Sequence, residues 1–79
     1  MDKEMKFTIE WEYTTYKTQF EDYMNTLKEE TRPEQIAYIG ARATECREVF
    51  KTLERIVASA KCKFVYTGDE FGMYRIERR

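Results

Sequence analysis

Met5-Lys6-Phe7-Thr8-Ile9-Glu10-Trp11-Glu12-Tyr13-Thr14 is the stretch on which the fold turns. Met5, Phe7, Ile9, Trp11 and Tyr13 alternate with Lys6, Thr8, Glu10, Glu12 and Thr14. A period of two is the signature of a half-buried β-strand. Aromatic and β-branched side chains also suit a pleated surface. The stretch therefore predicts a first strand over 5–14, with one face on a core and the other in water.

Beyond it the period changes. Thr18-Gln19-Phe20-Glu21 has the form of a capping box, in which the threonine hydroxyl and the glutamate serve free helical amides. Tyr16, Phe20, Tyr23, Met24 and Leu27 follow at spacings of three and four. A short amphipathic helix is expected over 16–29. Thr31-Arg32-Pro33-Glu34 is a second capping box, with proline in a first turn where its missing N–H costs nothing. It opens a longer helix over 32–60. There Ile36, Ile39, Ala43, Cys46, Phe50, Leu53, Val57 and Ala60 recur by threes and fours in a heptad seam, widened by Val49 and Ile56.

After Ala60 alternation returns. Cys62, Phe64 and Tyr66 form one set, Thr67-Gly68-Asp69-Glu70-Phe71-Gly72 supplies a turn, and Met73-Tyr74-Arg75-Ile76-Glu77 forms the returning run. This reads as a β-hairpin. The expected fold is a single α+β domain over 1–79, in two layers and in the order β-α-α-β-β. A three-stranded antiparallel sheet, order 1-2-3 in preference to 2-3-1, packs against a helical hairpin.

That arrangement contains a mismatch. A helix of ~28 residues is roughly 42 Å long, whereas one of ~14 residues is about 21 Å. The longer helix would outrun its partner and leave apolar seam in water, so it is expected to self-associate through Ile36, Ile39, Gly40, Ala43 and Cys46. Gly40 and Ala43 would make that part shallow enough for another backbone to approach. The competing outcome is a kink or early end near Gly40.

Composition narrows the chemistry. The 79 residues carry a net charge of −1, 37% charged side chains, 15% aromatic side chains and no histidine. The aromatic share argues for a packed core rather than disorder. A chain this short buries only about 60% of its unfolded surface, which leaves a thin margin of stability. No apolar run approaches the ~20 residues of a membrane span, and the charged opening Met1-Asp2-Lys3-Glu4-Met5 is unlike a secretory signal. Two unpatterned cysteines suit a reducing cytoplasmic setting. Triads and zinc sites built on histidine are excluded. The pairs Glu10–Glu12, Glu29–Glu30 and Asp69–Glu70 lie on surfaces expected to be solvated, without the burial that a general acid needs. Cys62, between Lys61 and Lys63, has no base beside it. Gly40, Gly68 and Gly72 form no phosphate-binding loop. No cofactor, metal or catalytic residue is expected, and the chain is read as a non-enzyme.

Charge is unevenly shared, at −4 over residues 1–34 and +3 over 35–79. Arg47, Lys51 and Arg55 step by four along the long helix, with Lys61, Lys63, Arg75, Arg78 and Arg79 toward its end. That stripe is the candidate contact for a nucleic acid. Tyr38, off the seam, together with Phe71 and Met73 around the hairpin turn, are candidate anchors for a protein partner. The leading expectation is a small interaction domain that regulates or inhibits a larger protein, by analogy with effectors carried by phages and mobile elements. Nucleic-acid binding is the alternative.

Overall fold

The computed structural model describes residues 2–68 and 72–79. Its element order is α1 (Lys3–Leu27), α2 (Pro33–Ser59), β1 (Cys62–Tyr66) and β2 (Tyr74–Arg78). The architecture is α+β, but the β-α-α-β-β order is overturned. Residues 5–14 are helical, and the sheet has two antiparallel strands rather than three. No strand order remains to be chosen.

The reason lies in the residues on either side of the alternating stretch. Asp2 caps the helix, its Oδ1 accepting the Met5 N–H at 2.8 Å. From Lys3 to Leu27 there is neither glycine nor proline to stop propagation. A strand-to-helix break near Thr14 would expose a new set of unpaired backbone amides, whereas each residue added to an existing helix gains a hydrogen bond. Ile9 and Tyr13 also extend the seam of Tyr16, Phe20, Tyr23 and Leu27 upstream at helical spacing, and all six are buried or half-buried. Thr18 and Glu21 consequently sit in mid-helix and cap nothing.

Thr31 does not cap the second helix either. Its N-cap is Arg32, without a side-chain bond. Glu30 supplies the acceptor, and its Oε1 takes the N–H groups of Thr31 and Arg32 at 3.2 and 3.0 Å and the Arg32 Nε at 3.0 Å. Those bonds hold the Glu30 carboxyl down at about 2.

The two helices form an antiparallel hairpin of nearly equal members, about 37 and 40 Å at ~1.5 Å per residue. The length mismatch behind the expected self-association is thus absent. Ile39, Ala43, Cys46, Phe50 and Val57 are buried. Phe20 meets Phe50 edge-on at 5.2 Å, and the Cys46 thiol reaches Gln19 Oε1 at 3.6 Å. No other part of its own chain approaches Gly40 closely, since a Cβ there would meet nothing within 4 Å.

The hairpin pairs Phe64 with Ile76 and lies across the helices. Tyr13 is the hub of this junction. Its ring stacks on Phe64 at 3.7 Å and meets Phe50 and Tyr74 edge-on. Its hydroxyl donates to Glu54 Oε2 at 2.6 Å. Burial and that carboxylate push the Tyr13 phenol well above its ordinary value, so it remains a donor. Glu10, 4% exposed, accepts the Ile76 N–H at 2.7 Å and lies 3.5 Å from Arg75 Nη1. Thr14 Oγ1 accepts the Tyr74 N–H at 2.9 Å. Helix α1 thus holds β2 by two side-chain acceptors as well as by packing.

Candidate functional site

A helix cannot bury everything a strand would have buried. Successive helical residues turn by about 100°, so residues four apart share a stripe and residues two apart diverge. Once Ile9 and Tyr13 face the core, Phe7 and Trp11 must face away. They are 53% and 56% exposed, and Met5 is also open. The alternating pattern therefore survives as surplus apolar surface on the outer side of α1.

That surface borders a recess. Trp11, Thr14, Thr15, Thr18 and Gln19 of α1, together with Met73, line a groove of about 450 Å³. Met73 forms its buried floor. It is fixed from below, as its carbonyl accepts both the N–H and the hydroxyl of Thr67, at 3.1 and 2.8 Å. Thr18 also lines a neighbouring recess of about 430 Å³ with Glu21, Tyr66, Gly72 and Tyr74. Gly72 has φ of +61°, and a Cβ there would lie 3.1 Å from the Tyr66 hydroxyl. Glycine is what lets that ring lie across the turn. Burial and nearby Glu21 raise the Tyr74 phenol above its usual value. The threonines offer hydroxyls, while Trp11, Met73 and Tyr66 offer apolar and aromatic area.

The other expected site residues are scattered. Tyr38 is exposed on α2, apart from this groove. Met73 belongs to the groove as its floor rather than as a projecting anchor, and Phe71 lies outside the described residues, as does the Asp69–Glu70 pair. Of the expected self-association set, Ile39, Ala43 and Cys46 are covered by their own chain, Ile36 is exposed, and Gly40 is half-buried. Burial raises the Cys46 thiol above its ordinary value, the direction of lower reactivity. Arg47, Lys51 and Arg55 are all exposed. Lys51 pairs with Glu54 at 3.3 Å, and Arg55 donates to Thr52 Oγ1. Of the Glu10–Glu12 pair, Glu12 is solvated but Glu10 is buried, where it acts as a structural acceptor.

The sequence does not single out Phe7 and Trp11 as surface residues, because a strand over 5–14 assigns both to the core. The signal was present in the heptad spacing from Ile9 to Leu27, which excludes them. Among the described residues no three acidic or cysteine side chains are grouped to hold a metal ion, and no helix is long and apolar enough to cross a membrane. No family model, curated protein or solved structure matches the chain.

Proposed function

We propose that this chain is a small, non-enzymatic protein-binding module that docks its partner on the outer face of α1. One observation carries the reading: Trp11, more than half exposed, stands at the rim of an apolar groove floored by Met73, and Phe7, equally exposed, lies one helical turn before it. Half-exposed tryptophan beside a preformed recess is the typical composition of an interface hot spot. Leaving such area in water costs ~25 cal/mol per Å² relative to burial. A module of this size acts on a larger protein by occupying its surface, as a regulator or inhibitor does.

The test compares tagged wild-type chain with the Phe7→Ala/Trp11→Ala double variant and with Tyr38→Ala as bait in the source organism. A specific partner should be retained by wild type and Tyr38→Ala and lost by the double variant, whose helical circular dichroism should be unchanged. Equal retention by the double variant would refute the docking face. So would concentration-dependent sedimentation showing that a second copy covers it.

A further inference from the structure

The two edges of the β-hairpin are treated oppositely. Thr67 N–H bonds to Met73 O, and Arg79 N–H bonds to Lys61 O. With Phe64 opposite Ile76, odd-numbered residues of β1 therefore face β2, and the backbone groups of Cys62, Phe64 and Tyr66 point outward. Two of the three equivalent outward amides of β2 are sealed, Tyr74 by Thr14 and Ile76 by Glu10, and only that of Arg78, at the end of the strand, has no such acceptor among the described residues. Among the described residues nothing seals those of Cys62, Phe64 and Tyr66. An open strand edge is a template for pairing with another chain.

Its surroundings select the occupant. A recess of about 210 Å³ runs along β1, lined by Cys62, Lys63, Phe64, Tyr13, Glu54 and Arg79. Glu54 is already engaged by Tyr13 and Lys51. Lys61, Lys63 and Arg79 are exposed and in no ion pair among the described residues, although Glu77 stands across from Lys63 in the register. Lys61 also has φ of +60°, a left-handed conformation that favours glycine. A cation stands where backbone energetics alone would place a residue without a side chain.

We propose that the outer edge of β1 is a strand-addition site for an extended acidic peptide segment, with alternating carboxylate and apolar side chains. The row of outward N–H and C=O groups requires a peptide backbone as its complement, which a nucleic acid lacks. A second copy of this chain would bring its own Lys61 and Lys63 to the same edge and repel. An acidic strand places carboxylates beside Lys61 and Lys63 and apolar side chains toward Phe64. This site is separate from the Trp11 face and does not depend on it.

The probe is a fluorescein-labelled synthetic peptide of about seven alternating valine and glutamate residues, titrated into the full chain by anisotropy and by amide hydrogen exchange. Binding should slow exchange at Phe64 and Tyr66 by about tenfold or more and leave Ile76 unchanged. Lys63→Glu, with its circular dichroism preserved, should weaken binding by about tenfold. N-methylation of alternate peptide amides should abolish binding in one phase and spare it in the other. Trp11→Ala should bind normally, which separates this site from the docking face. Four results would each overturn the proposal: undiminished binding when both N-methylated phases are tested, equal binding of a valine–lysine peptide, binding of oligothymidylate in place of the peptide, or protection of Phe64 by dimerisation alone.

Discussion

Helix α1 carries two aromatic residues two positions apart that meet opposite fates. Tyr13 is 4% exposed and touches three other rings, and Trp11 is 56% exposed beside a groove. On a strand they would share a face; on a helix they cannot. The core side of α1 is committed to internal work, through Tyr13 on the sheet and Glu10 on the β2 backbone. The outer side holds apolar area that the fold does not use. Stability and recognition are thus divided around one helix, and substitutions should separate them.

The largest effect is expected at Glu10. Glu10→Ala leaves the buried Ile76 N–H without its acceptor and Arg75 without its carboxylate, a loss of about 3 kcal/mol, the upper end for a hydrogen bond to a charged group, read by urea denaturation. Glu10→Gln keeps an acceptor and should lose clearly less. Next is Tyr13→Phe, which removes the donor to Glu54 and should cost about 1.5–3 kcal/mol, as for hydrogen bonds to charged groups. Gly40→Ala should add roughly 0.5–1 kcal/mol, because the site has room and helical glycine is entropically costly. Trp11→Ala and Phe7→Ala should each change stability by less than about 0.5 kcal/mol, in the range of surface substitutions. A loss of several kcal/mol at Trp11 would erase the distinction between the two faces.

The smallest expected effect is local and depends on pH. The folded Glu30 carboxyl lies near 2, below its usual 4.5. A depressed carboxylate contributes stability that is present above its unfolded value and fades as pH falls toward the folded one. The turn joining α1 and α2 should therefore loosen between about pH 4.5 and 2, followed by the amide shifts of Thr31 and Arg32. Glu30→Gln should be insensitive over that window.

The sequence made some elements legible and misdirected others for identifiable reasons. The second helix runs Pro33–Ser59, close to the 32–60 of its seam and proline signal. The hairpin strands Cys62–Tyr66 and Tyr74–Arg78 follow the returning alternation. Both segments carry a single period bounded by turn residues. Residues 5–14 carry two periods at once, because Ile9 and Tyr13 fit both a strand and a helix. What decided between them was non-local: the tyrosine seam downstream, the Asp2 cap upstream and the cost of breaking a helix between them. The length mismatch behind the expected dimer seam went with it, since a first helix of 25 residues covers what one of 14 would have left bare. The groove was illegible for a different reason, as Met73 reaches it only through tertiary contact. The contrast between the sheet edges was illegible too, since it depends on Glu10 being buried, which no local pattern of a charged residue announces.

Acrylamide quenching of Trp11, the only tryptophan in the chain, offers the most direct test of the divided helix. In the folded, dilute protein its emission should be red-shifted, with quenching close to that of the urea-unfolded chain. Blue-shifted emission protected from acrylamide at the same dilution would place Trp11 in the core and contradict a helix with two separate duties.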